Sequence, residues 1–335
     1  MPDLWYALTA LLLAAYVTLA GFDLGAGALH LFVAKTEGER RTVLAAVGPF
    51  WHGNEVWILG AGGTLMFAFP LALASALSGF YLGIFFAVWA LMLRAASIEL
   101  RSHAPSDLWH AFWDAVLGLT SGTYIVLLGV ILGNLLRGVP LNDAGEFSMP
   151  LFGGSVGLVD GYTAAVGIFA LVALGTHGAT FLAWKTEGEL GDRAARLASR
   201  AWPVTLAGWL GLFATTHFVV RFEPRGEGWA LVIVAAAAGI AATALGQRGR
   251  RRAAFVASCI FLASTMLAIA ASLHPTLLRA MDGRDLRAAD AASGDSGLRT
   301  AAWWWCFALL LAALYAANAF RLQRGKAKPS HGEDD

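Results

Sequence analysis

The chain has 335 residues, 58% hydrophobic and 14% charged, with a formal net charge of +1 and a mean hydropathy of +0.62. Soluble domains carry about 25% charged residues, and so apolar a surface would be one large greasy patch in water. A water-soluble globular protein is therefore excluded, and the near-neutral balance with no basic domain excludes nucleic acid as a partner.

A membrane-crossing helix needs about 20 mostly apolar residues. In chain order, nine segments meet that need: 4–33, 53–74, 77–99, 111–136, 160–184, 201–221, 228–246, 253–274 and 300–321. The first begins MPDLWYALTALLLAAY. It lacks a basic leader and a small-residue cleavage site, and is read as a retained span. The seventh is short and Ala-rich but carries no charge. Trp303, Trp304 and Trp305 open the last span and read as an interfacial belt. Cys259 and Cys306 lie in apolar runs without metal spacing and read as inert core residues. The expected fold is an all-α integral membrane protein. A single polytopic domain covers 1–321, and the basic tail 322–335 is expected to be disordered.

The loops set the orientation. With the N-terminus outside, 17 of the 24 Lys and Arg fall on the cytoplasmic side and 7 on the other. This bias predicts an external N-terminus and a cytoplasmic C-terminus.

Ionisable residues inside spans are functional candidates, and here they share one depth near the cytoplasmic ends. Span 1 contributes Asp23, span 2 His52, Asn54 and Glu55, span 3 Arg94 and Glu99, and span 5 His177. His52 and Glu55 are three apart, which puts them on one helix face if the helix has begun there. Gly21 and Gly25 flank Asp23 in a G-x-x-x-G surface that permits close helix approach. Arg94 is expected to pair with Asp23 or Glu99, because an unpaired buried charge is expensive. A purely structural Asp23–Arg94 pair is an equal reading, and Asn54 serves as well as a cap for span 2. His30, His103, His110 and His274 lie near loop ends and read as solvated or interfacial, as does His217. A chain of carboxylate, imidazole and amide at one end of a bundle can carry protons. No phosphate loop, nucleophile elbow or H-E-x-x-H motif competes with this reading.

The order of several motifs narrows the reading further. GFDLGAGAL (21–29) is followed by ERR (39–41), GPFWHGNEVW (48–57), GGTLMFAFP (62–70), SGFYLG (78–83) and LRAASIELRSH (93–103). LGNLLRGVPL (132–141), THGATFLAWKTEGEL (176–190) and RGK (324–326) come next. This order resembles subunit II of the cytochrome bd-type quinol oxidases, densely over 1–200 and thinly beyond. The resemblance implies nine helices in two four-helix bundles plus a peripheral helix. It implies a heterodimer with a haem-bearing subunit I in a bacterial cytoplasmic membrane, with room for a small third subunit. Electrons would pass from quinol to O2, with haems b and d and the quinol site in the partner and no cofactor or metal on this chain alone. Subunit II would support proton delivery and oxygen access.

Carried over position by position, Asp23, Arg94 and Trp57 match the family pattern, with Trp57 beside the oxygen route or simply packed. Glu99 falls where relatives are acidic. His52 departs, because the family usually reads W-D-G-N-[EQ]-V-W and assigns that Asp to the proton path. The acid that often precedes GFD is also missing, since Ala20 precedes Gly21. Three readings of His52 stand: a proton relay with Glu55, a rerouted path in a divergent assembly subunit, or a haem or metal ligand. The last has no second ligand fixed by spacing. The rival from another class is a secondary transporter that uses Asp23, Glu55 and Arg94 as a substrate site, although broken helices and related halves are not evident in the sequence.

Overall fold

The computed structural model describes residues 1–153 and 156–327. Most of the expected tail, from residue 328 onward, lies outside the described residues. Among these residues the architecture is all-α apart from one small strand pair. The main helices are α1 (Pro2–Val33), α2 (Glu37–Ala68), α3 (Pro70–Gly79), α4 (Tyr81–Leu100), α5 (Asp107–Arg137) and α6 (Gly161–Lys185). They continue as α7 (Gly188–Phe218), α8 (Glu227–Gln247) and α9 (Arg251–Leu273). A two-stranded antiparallel pair, β1 (Thr276–Leu278) and β2 (Leu286–Arg287), leads through the single turn α10 (Ala288–Ala291) into α11 (Asp295–Leu322).

Seven helices among the described residues are long and apolar enough to cross a membrane: α1, α4, α5, α6, α8, α9 and α11. The pair α2–α3 adds an eighth if counted as one span, but it bends by 119° at Phe69. The expected span 53–74 runs across that break. Pro70 explains it, because its ring disfavours helical geometry at the preceding residue and it has no N–H to continue the ladder. Upstream, α2 begins well before residue 53. Thr36 caps it with Glu39 in a reciprocal box in which each residue satisfies the other's backbone N–H.

At the centre of the fold, α1 packs against α2, α5, α6 and α9. It crosses α6 at a pair of glycines. A Cβ on Gly25 would run into the carbonyl oxygen of Leu174, and one on Gly178 into the backbone nitrogen of Ala26. Only hydrogen at both positions permits this approach.

Helix α11 lies antiparallel along α2. Phe320 packs on Phe50 with ring centroids 4.7 Å apart, the Tyr315 ring covers Gly53, and Trp305 Nε1 donates to Thr64 Oγ1 at 3.0 Å. Of this helix only Leu298 is fully buried. Cys306 therefore faces outward and is exposed, not a core residue, and Cys259 is half-buried. Trp303 and Trp304 also point outward, whereas Trp305 turns inward onto Trp5.

Candidate functional site

Asp23 reaches the middle of the helix packing because Gly21 and Gly25 bring α1 close to its neighbours. Its carboxylate accepts from Arg94 Nη2 at 2.8 Å and from Asn54 Nδ2 at 2.6 Å. Asp23 is 2% exposed and Arg94 1%. Arg94 Nη1 also reaches Glu55 Oε1 at 3.5 Å, and Glu55 is half-buried. Three helices, α1, α2 and α4, thus bring two carboxylates to one guanidinium, with one negative charge left for a proton or a further donor to offset. Arg94 Nε is buried and makes no hydrogen bond.

The structure separates the remaining sequence candidates. Asn54 is no helix cap: it sits deep in α2, and its amide also donates to Leu19 O at 2.9 Å. Glu99 is exposed, its carboxylate bonds to no side chain among the described residues, and His103 Nδ1 bonds to its backbone carbonyl. Arg94 is thus paired with Asp23 and Glu55, not with Glu99. His52 is exposed, with its ring against that of Trp51 at a centroid distance of 3.6 Å. Trp57 is buried in the main apolar cluster beside Tyr16 and Ala61. His177 is fully buried, with Nδ1 on Ser258 Oγ at 2.7 Å and Nε2 on Thr18 O at 3.0 Å. Both its nitrogens are therefore occupied, and neither is free for a metal.

A second charged cluster lies at the ends of α1, α2, α4 and α5, and sequence reasoning missed it. Asp114, fully buried, accepts from His30 Nε2 at 2.7 Å, Arg101 Nε at 2.6 Å and Arg40 Nη1 at 3.1 Å. Arg101 also forks onto Glu37 at 2.7 and 3.0 Å. His30 is therefore not interfacial: it has no exposed surface. The signal was present, because Asp114 interrupts the apolar run AFWDAVLG and an acid in such a run needs a partner.

An apolar cavity of about 310 Å³ opens between α1, α5, α6, α7 and α9, lined among others by Leu13, Tyr16, Ile125, Trp209 and Leu262. Tyr16, on its wall, bonds to Tyr124 at 2.7 Å. Among the described residues no three His, Cys, Asp or Glu converge as a metal-binding group.

Comparison with known proteins supplies the family. Residues 1–323 match the model of cytochrome bd terminal oxidase subunit II. The chain belongs to that family. It is 30% identical over 303 residues to "Cytochrome bd ubiquinol oxidase subunit 2" of Bacillus subtilis, a match covering 89% of this chain and 88% of that protein. With "Cytochrome bd-I ubiquinol oxidase subunit 2" of Escherichia coli it shares 34% identity over 205 residues, 61% of this chain. That match spans about half the length of the E. coli protein, 54%. The fold superposes on a chain of the bd oxidase from Geobacillus thermodenitrificans with a TM-score of 0.75 at 17% identity, covering 96% of this chain and 98% of that one. Family membership and the apolar helices together make this an integral membrane protein.

Proposed function

We propose that this chain is subunit II of a bd-type terminal oxidase, a quinol:oxygen oxidoreductase of a bacterial cytoplasmic membrane. The complex oxidises quinol, reduces O2 to water and takes up protons from the cytoplasm. The family match over residues 1–323 carries this reading. The partner is a haem-bearing subunit I, with haems b and d and the quinol site on its side and a small third subunit as a further member.

The same reading gives nine membrane crossings over 1–321, with the N-terminus outside and the C-terminus in the cytoplasm. In it, the bent α2–α3 pair and the apolar second half of α7 join the seven clear spans. One four-helix bundle is then α1, α2–α3, α4 and α5, and the other is α6 to α9. α4 packs on α5 in the first group and α8 on α9 in the second, α1 and α5 pack on α6 between them, and α11, which packs mainly on α2, is the peripheral helix.

Asp23, Asn54, Glu55 and Arg94 form the proton-handling layer. Asp23 and Glu55 are the acids, Arg94 fixes them, and Asn54 orients Asp23. The exposed His52 and Glu99 stand at its entrance, with His52 exchanging protons where relatives use a carboxylate. Trp57 flanks the oxygen route.

Purification of the tagged chain from its own membranes tests the assignment. A haem-bearing partner in the eluate supports it, whereas a chain that elutes alone, or catalyses substrate flux without haem, favours a transporter or an orphan assembly subunit.

A further inference from the structure

Helix α6 ends at Lys185, and the last four carbonyls of a helix have no partner within it. Thr186 donates to Leu182 O through its backbone N–H and its hydroxyl, and Arg251 of α9 donates to Ala183 O at 3.3 Å. The other two carbonyls are capped from the far end of the chain. Lys326 Nζ donates to Trp184 O at 2.7 Å and to Thr186 O at 3.1 Å, and the Ala327 N–H donates to Lys185 O at 2.7 Å.

The exchange runs in both directions. Lys185 is 4% exposed, and no carboxylate bonds to it among the described residues. Its ammonium donates instead to Gln323 O and, at 3.2 Å, to Gly325 O. It also lies over the rings of Phe50 and Trp184, at 5.7 and 5.1 Å from their centroids. Gly325, at φ +107°, turns the chain between the carbonyls that Lys185 holds and the lysine that caps α6. The R-G-K run at 324–326 thus has a structural reason for its glycine and its lysine.

Helix α11 has little else to hold this end. Between Trp305 and Gln323, about five turns, it makes no hydrogen bond to another helix among the described residues. Its contacts there are Phe320 on Phe50 and Tyr315 over Gly53, and its one fully buried residue, Leu298, is at the opposite end. Phe50 is shared, since it carries Phe320 and also lies beneath Lys185 Nζ.

We propose that Gln323–Ala327 is a latch: by exchanging carbonyls with the end of α6, Lys185 and Lys326 hold the cytoplasmic end of α11 against α2. Lys326 is exposed, and solvent-exposed hydrogen bonds with little apolar burial behind them open first. Release of the latch frees the last turns of α11 from Phe50 and Gly53, which neighbour His52 and Asn54 on α2. The inference rests on these contacts and does not depend on the oxidase reading.

Hydrogen–deuterium exchange of the intact membrane complex, resolved to single amides, tests it. The Ala327 amide should exchange at least tenfold more slowly than in a free peptide. Lys326→Gln should bring it close to the free rate and speed exchange severalfold in the last turn of α11. Gly325→Ala, which keeps both lysines and strains only the turn, should act in the same direction. Free-peptide exchange at Ala327 in the unmodified protein would overturn the proposal whatever the variants do. Exchange in α11 that neither substitution changes would overturn it too.

Discussion

Arg94 Nη2 donates to Asp23 Oδ1 at 2.8 Å, joining α4 to α1 with both side chains out of contact with solvent. A buried pair is weak evidence of net stabilisation, but removal of one partner strands the other charge. Arg94→Met is expected to destabilise the protein by about 3–5 kcal/mol, read as a fall in thermal unfolding temperature in detergent. The double variant Asp23→Leu/Arg94→Met should recover a large part of that loss. No recovery would mean that the pair's partners, Asn54 and Glu55, matter more than the charge balance.

The α1–α6 crossing makes a sharper geometric prediction. Gly25→Ala puts a methyl group into the Leu174 backbone, which cannot move aside as a flexible side chain would. Forced separation of packed helices costs about 1–3 kcal/mol or more. Gly62 in α2 is the internal control, since a Cβ there meets nothing within 4 Å. Gly62→Ala should be neutral or stabilising by up to ~1 kcal/mol. Equal unfolding temperatures for the two variants would contradict the crossing.

Glu37, in the first turn of α2 and outside the apolar spans, has its carboxyl held below the usual glutamate range by hydrogen bonds from Arg101, against a smaller opposing effect of burial. A depressed folded value means that its stabilising contribution is complete above the unfolded value of about 4.3 and is lost as pH falls through the lower folded value. Glu37 is 40% exposed, so the effect is modest. Glu37→Gln should lower the unfolding temperature at pH 7, and the gap to the parent should close below about pH 4. A gap that widens in acid would reverse the sign of this argument.

His52 stands exposed on α2, at a position where the resemblance to the family implies a carboxylate. If it exchanges protons at the mouth of the Glu55–Asp23 layer, His52→Ala should lower oxidase turnover by about tenfold or more. His52→Asp should retain most of it. Unchanged turnover in both variants would remove His52 from the path.

Much of this was legible in the sequence, and the misses have physical causes. Apolar runs identified the helices and lipid as solvent, and Asp23–Arg94 was among the pairings expected from the cost of an unpaired buried charge. The start of α2 was hidden because residues 37–52 are too polar to read as a span. The T-x-x-E box at Thr36–Glu39 was the available signal, and with it Asn54 would have read as interior. His30 looked interfacial because it lies near the end of an apolar run. Its partner Asp114, and Arg40 and Arg101 bonded to that acid, are distant in sequence and come together with it only in the tertiary structure. The outward position of His52 followed from helix rotation, which two or three polar neighbours do not fix.

Oxygen uptake tests the central claim most directly. Membranes that hold this chain with its haem-bearing partner should consume O2 on addition of quinol, and membranes with the partner but lacking this chain should not. Equal quinol-dependent uptake in both would contradict the assignment of this chain as a working subunit of the oxidase.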